Sequence, residues 1–205
     1  MKRLPDLSNL KNLSRLRVLE CSKLREIPGL GRLELLIELY LGRCYNLHEI
    51  EGFEALKSLK ELNLSRYKAL KRIPDLSRLT NLRKLIITDC IDLNEITGLD
   101  RLESLKDLNM KSCTSLERLP DLSKLEKLEG LNLHDCEKLH EIEGLEALKS
   151  LKELNLSSCF LERIPDLSKL TKLRTLDISG GTSLGKLPDL PNGCFVKGGE
   201  HASHW

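Results

Sequence analysis

Leucine and isoleucine recur along this chain in two alternating rhythms. One is a tight L-x-x-L-x-L run, as in Leu36, Leu39 and Leu41 or Leu59, Leu62 and Leu64. The other steps in threes, as in Leu47, Ile50, Phe53 and Leu56. The L-x-L portion places alternate side chains on one face and predicts a short strand with one buried side. The stepped portion carries the chain back over the same core. The two rhythms together repeat every 23 residues. Cys21, Cys44, Cys90, Cys113, Cys136 and Cys159 mark the period, each three residues after a strand, and Tyr67 fills the one slot without cysteine. The earliest full copy uses Leu13, Leu16, Val18 and Cys21. The last uses Leu173, Leu176, Ile178 and Gly181, one residue early because of a deletion near Phe160.

This is the pattern of a leucine-rich repeat, and it spans nearly the whole chain in about eight copies. One copy cannot bury its own apolar face, so the copies stack. The predicted fold is an α/β-type solenoid: a horseshoe with a concave parallel β-sheet and mostly irregular or short-helical convex segments. Pro28, Pro74, Pro120 and Pro165 fall in the return segments, where a fixed φ and a missing donor suit extended turns better than long helices. The reading divides the chain into an incomplete N-terminal repeat (1–12), about eight repeats (13–190) and a C-terminal tail (191–205). Leu4, Leu7 and Leu10 are core positions of a repeat whose strand is missing, so the chain is expected to be a piece of a longer protein with further repeats upstream.

Composition narrows the function. The 205 residues carry 33 basic and 31 acidic side chains, a net charge of +2, and 3% aromatic residues. That balance gives no general attraction to nucleic acid or an acidic membrane, and few rings to stack on bases. No run of about 18 apolar residues predicts a membrane span. Six cysteines, one per coil, read as a ladder of buried free thiols bonded to loop backbone and point to a reducing compartment. Cys194, His201 and His204 could be drawn together as a zinc site, but the Gly-rich segment around them reads as a frayed terminus. "GGTSLGKL" (180–187) matches the glycines and lysine of a phosphate-binding loop, yet Leu187 stands where Ser or Thr should hold magnesium. Gly181, Leu184, Leu187 and Leu190 there continue the repeat, so the match is a by-product and no cofactor is expected. His134 and His140 lie near carboxylates but at spacer positions open to solvent, and no catalytic constellation is expected. Two of the N-x-S sequons, at Asn63 and Asn155, arise from the "LNLS" of the repeat and say little about glycosylation.

An internal duplication directs attention to the concave face. "EIEGFEALKSLKELNLS" from Glu49 recurs as "EIEGLEALKSLKELNLS" from Glu141, four repeats later, with one difference. The strands just before each copy keep their ladder residues but differ at every exposed position: Ile37/Glu129, Glu38/Gly130, Tyr40/Asn132, Gly42/His134 and Arg43/Asp135. Exposed convex residues such as Glu51, Glu54 and Lys57 did not change. Across the sheet the middle concave column reads Arg17, Tyr40, Asn63, Ile86, Asn109, Asn132, Asn155, Asp177. Its early members are unusual. Tyr and Arg are common interface anchors, so the candidate protein-binding residues are Arg17, Leu19, Tyr40, Arg43, Arg66, Tyr67, Lys84, Ile86 and Asp89. The competing reading is that Tyr40 and Ile86 only pack on their neighbours.

The phrases "IPDLSRLTNLRKLIITDC" (73–90), "LPDLSKLEKLEGLNLHDC" (119–136) and "IPDLSKLTKLRTLDIS" (164–179) resemble the repeats of plant intracellular nucleotide-binding leucine-rich-repeat disease-resistance proteins, especially the TIR-type, flax rust-resistance kind. The resemblance covers residues 4 to about 190. It implies a cytoplasmic or nucleocytoplasmic, non-enzymatic recognition domain. Its implied partners are a pathogen effector and the receptor's own nucleotide-binding and TIR domains, with no nucleic acid and no membrane. The alternative is a passive adaptor scaffold for another intracellular protein. No TIR domain or nucleotide-binding switch motif is present in these residues.

Overall fold

The structure is a computed structural model and describes residues 2–47, 50–67, 70–181 and 187–198. Each L-x-L run begins within a three-residue strand: β1 Arg15–Arg17, β2 Glu38–Tyr40, β3 Glu61–Asn63, β4 Lys84–Ile86, β5 Asp107–Asn109, β6 Gly130–Asn132, β7 Glu153–Asn155 and β8 Thr175–Asp177; a ninth strand, β9 Phe195–Lys197, follows without such a run. They make one parallel sheet in chain order. The central leucines stack in register, Leu39 on Leu62 on Leu85 on Leu108, and they are sealed from solvent. The return segments are irregular apart from 3₁₀ turns at Leu30–Arg32, Phe53–Ala55, Leu99–Arg101 and Leu145–Ala147. Among the described residues no helix is long and apolar enough to cross a membrane.

The tail departs from the sequence reading. Residues 195–197 are not frayed but form β9, with Val196 opposite Leu176. The coil spacing shortens from 23 residues to 22 between Glu153 and Thr175, then to 20 between Thr175 and Phe195. Pro191 and Gly193 therefore make a shorter return rather than an end to pairing. His201, His204 and residues 182–186 of the glycine-lysine stretch lie outside the described residues. Beside that stretch, Gly181 holds the cysteine slot, and a Cβ there would stand 2.3 Å from the Cys159 carbonyl oxygen.

The residue before each slot takes a left-handed backbone: Glu20, Arg43, Arg66, Asp89, Ser112, Asp135 and Ser158 all have φ between 56° and 64°. Side chains in this region cost about 1 kcal/mol or more. The turn lets its amide extend the sheet ladder, as in Arg66 N–H to the Thr88 carbonyl at 2.7 Å, and drops the next side chain inward. There each thiol donates to a carbonyl of the coil before: Cys44 to Val18 (3.4 Å), Cys90 to Leu64 (3.2 Å), Cys113 to Ile87 (3.0 Å), Cys136 to Met110 (3.2 Å) and Cys159 to Leu133 (2.9 Å). These bonds tie each slot to the preceding coil, and at Met110 and Leu133 the thiol shares a carbonyl that also accepts the Cys113 or Cys136 amide. Cys21, in the first coil, is only half-buried.

The return segments interlock in a way the repeat period alone does not reveal. In the D-L-S turns the Asp carboxylate accepts the amide of the Ser two residues on, at 2.8–2.9 Å for Asp6, Asp75 and Asp121. The next coil then presents a glycine against that turn: Gly29 on Asp6 and Ser8, Gly98 on Asp75 and Ser77, Gly144 on Asp121 and Ser123. Their φ of 76–78° also favours glycine.

Candidate functional site

The strands fix the concave columns. At Asn63, Asn109, Asn132 and Asn155 the side-chain Oδ1 accepts the amide two residues on, at 2.9–3.2 Å, and Asp177 does the same for Ser179 at 3.0 Å. These middle-column residues close the turn that leaves each strand, so the asparagines are structural and not filler. Arg17, Tyr40 and Ile86 give that bond up. At Ile86 the Thr88 amide turns instead to the Ser65 hydroxyl, at 3.4 Å.

Tyr40 is held from both sides. Its hydroxyl donates to Glu61 Oε2 at 2.6 Å, and the Arg17 guanidinium lies 4.7 Å from its ring centroid. The hydrogen bond to the Glu61 carboxylate, then burial, pushes its pKa upward. Arg15 and Arg17 both reach Glu38, at 3.0 and 3.3 Å. Arg43 pairs with Glu20, and Arg66 with Asp89 at 3.2 Å. The structure thus gathers Arg17, Tyr40, Glu38 and Glu61 into one cluster and leaves Arg43, Arg66 and Asp89 along the neighbouring left-handed column. Leu19 is half-exposed and lies over Gly42. Lys84 is exposed and Ile86 half-buried on the concave face of β4.

Tyr67 does not belong with these residues. It points inward in the cysteine slot with 2% of its surface accessible, so it cannot serve as a contact residue on the surface. Its hydroxyl has no hydrogen-bond partner among the described residues, and burial, with the Cys44 sulfur beside it, drives its pKa far up. A buried orphan hydroxyl costs on the order of 1–3 kcal/mol.

His134 also differs from expectation. It is half-buried, with Nδ1 2.7 Å from Ser157 Oγ. The Ser157 hydroxyl itself donates to Asn155 Oδ1 at 2.6 Å. The ring nitrogen therefore donates to a hydroxyl whose own proton is committed, which is the reverse of a nucleophile-and-base pair. His140 is exposed, as expected.

A concave trough lies mostly downstream of the candidate residues. The trough, about 590 Å³, runs from Lys84 and Ile86 on β4 to Phe195 and Lys197 on β9. It is lined by Asp107, Gly130, Glu153 and Thr175 of the first concave column and, forming its floor, by Asn109, Asn132, Asn155 and Asp177 of the middle column. Only Lys84 and Ile86 of the nominated set line it.

Comparison with the curated proteins finds no match. A family model described as Leucine Rich repeats (2 copies) matches residues 149–192. Among solved structures, the functional domain of InlJ from Listeria monocytogenes, which includes a cysteine ladder, aligns with a TM-score of 0.69 at 22% identity, over 91% of this chain and 41% of that one. The leucine-rich-repeat domain of the type III effector XopL aligns with a TM-score of 0.62 at 21% identity, over 98% of this chain and 74% of that one. TLR13 in its complex with ssRNA13 gives 0.58 at 23% identity, over 87% of this chain and 30% of that one.

The chain folds as a leucine-rich-repeat solenoid. It spans less than half the length of the InlJ and TLR13 chains it resembles. Within this solenoid, a signal for the trough was present in the sequence at Gly130, the one glycine in the first concave column, where Glu38 stands in the duplicate strand. The contribution of Phe195 was hidden because β9 breaks the 23-residue spacing.

Proposed function

We propose that this leucine-rich-repeat domain binds a protein partner across its concave sheet and serves as the recognition domain of an intracellular plant receptor of the nucleotide-binding, TIR-type kind. The observation that carries the reading is the middle column. Five strands spend this position on a turn-closing Asn or Asp, whereas β1, β2 and β4 spend it on Arg17, Tyr40 and Ile86, which forgo the bond. A residue that gives up a local stabilising bond and remains on a concave surface is placed for contact. The carboxylates of Asp107 and Glu153 favour a protein over an RNA strand there. By the family resemblance the partners are a pathogen effector and the receptor's own nucleotide-binding domain, which the repeats would restrain. The buried free thiols agree with a cytoplasmic or nucleocytoplasmic setting.

A second reading, a passive adaptor scaffold, is favoured by one observation: Arg43 and Arg66 are already tied to Glu20 and Asp89 of adjoining coils. Capture assays separate the two readings, using the chain against candidate effectors and against the nucleotide-binding domain of a related receptor. Tyr40→Asn restores the turn-closing bond and is expected to leave folding stability equal or higher while weakening capture about 30-fold, the effect of losing an interface anchor worth about 2 kcal/mol. Ile86→Asn should act in the same direction. Capture unchanged by Tyr40→Asn, Ile86→Asn and Arg17→Ala together would leave the scaffold reading standing.

A further inference from the structure

We propose that the downstream half of the concave face, β4 to β9, is a docking trough for an extended basic segment of a protein partner, with one lysine or arginine side chain of that segment seated over Gly130 between Asp107 and Glu153. The proposal rests on the reading of the concave face as a recognition surface and names the chemistry that this part of it takes.

The molecule supplies its own comparison. In the upstream half the first-column carboxylates are satisfied internally: Glu38 by Arg15 and Arg17, and Glu61 by the Tyr40 hydroxyl. In the downstream half Asp107 and Glu153 are exposed and, among the described residues, pair with no basic side chain. The duplication makes this contrast sharper, since Gly130 occupies the position held by Glu38 in the earlier copy. The change from side chain to none opens a gap between two carboxylates that stand two strand spacings apart, about 10 Å. The Asp107 carboxylate leans into that gap, with Oδ1 3.2 Å from where a Gly130 Cβ would be. A cation entering over Gly130 meets negative charge on both sides and backbone below.

The floor next to the gap suits a peptide main chain. Asn109, Asn132 and Asn155 commit Oδ1 to the amides of Lys111, His134 and Ser157. Their Nδ2 groups remain as a row of donors, one per strand, for carbonyls of a bound segment. Each end of the trough sets an apolar side chain beside a lysine: Ile86 next to Lys84 on β4, and Phe195, with 65% of its surface exposed, next to Lys197, which is paired with Asp177, on β9. Five strand spacings separate them, about 24 Å, which an extended segment of about seven residues covers. The preferred ligand therefore has a basic centre and apolar ends.

Selection of a random heptapeptide display library on the immobilised full-length chain tests this directly. Enriched peptides should carry Lys or Arg at the centre and apolar residues at both ends. Their affinity, measured by fluorescence anisotropy, should fall at least tenfold in the Asp107→Asn/Glu153→Gln double variant and in Gly130→Val, and should fall with added salt. Glu54→Ala, on the convex side and outside the trough, should leave it unchanged. The double variant alters only exposed side chains and keeps the test valid if Gly130→Val misfolds. No enrichment of basic-centred peptides, or binders indifferent to Asp107→Asn/Glu153→Gln, overturns the proposal. If that happens while partner capture still depends on Tyr40, concave recognition stands and only the trough assignment fails.

Discussion

Raising the pH from about 8 to about 10.5 is expected to unfold the domain cooperatively. Burial pushes the Cys90 and Cys136 thiols up to about 12 and Cys159 up to about 11. Burial drives Cys113 higher still and raises Cys44. In the unfolded chain the same thiols ionise near pH 8.5–9, roughly their ordinary value. Below that range both states hold the protons and the ladder's contribution is intact. Above it the unfolded chain releases protons that the folded chain keeps, so stability falls as pH rises towards the folded values. Each thiol removes about 1.4 kcal/mol per pH unit in this window. Cys90, Cys113, Cys136 and Cys159 together remove about 5–6 kcal/mol per unit, comparable to the whole stability of a typical domain. Urea titrations at successive pH values, with reductant present, measure the slope directly. Cys136→Ala should lower the slope by about one proton. In the native protein at neutral pH a thiol reagent should modify the half-buried Cys21 and Cys194 first. A urea midpoint that stays level from pH 8 to about 10.5 would show that the thiols are not shielded.

The second large effect is expected at Gly144. A Cβ there would lie 2.2 Å from Asp121 Oδ1 and 2.4 Å from the Ser123 amide nitrogen, on a backbone with φ 76°. Gly144→Ala must therefore strain its own backbone and also displace the turn of the previous coil. About 1 kcal/mol comes from the left-handed conformation and about 2 from overpacking. The total, about 3 kcal/mol, should lower the thermal midpoint by on the order of 10 °C. Gly193 supplies the control, because its φ is 79° but nothing stands within 4 Å of a Cβ placed there. Gly193→Ala should cost only the conformational part. Equal losses at the two positions, measured by thermal unfolding, would mean that the interlocked turns add nothing.

The contrast between these glycines shows where the sequence was readable. The 23-residue period predicts the strands, their parallel order and the inward thiols, because each follows from one coil repeated. What the period cannot show is how neighbouring coils touch. The D-x-S turn and the glycine that sits on it are 21 residues apart, Ser77 to Gly98 and Ser123 to Gly144, so both letters were visible, but their meeting is tertiary. Tyr67 shows the opposite failure: its slot was recognised, yet its residue type suggested a surface anchor, and the slot's inward direction wins. β9 was missed because a shortened coil with Pro191 and Gly193 resembles a terminator. The trough was missed because its centre is marked by an absent side chain at Gly130, flanked by carboxylates that look ordinary one at a time.

The proposed recognition surface is the concave sheet. The most direct test is hydrogen–deuterium exchange of the chain with and without a captured protein. Bound partner should slow exchange at the strand-leaving turns that follow β1 to β7, including the amides of Gly42, Ser65, Lys111 and His134, and leave the convex D-L-S turns at Ser77, Ser123 and Ser168 unchanged. Protection confined to the convex turns, with the concave amides unaffected, would contradict the account.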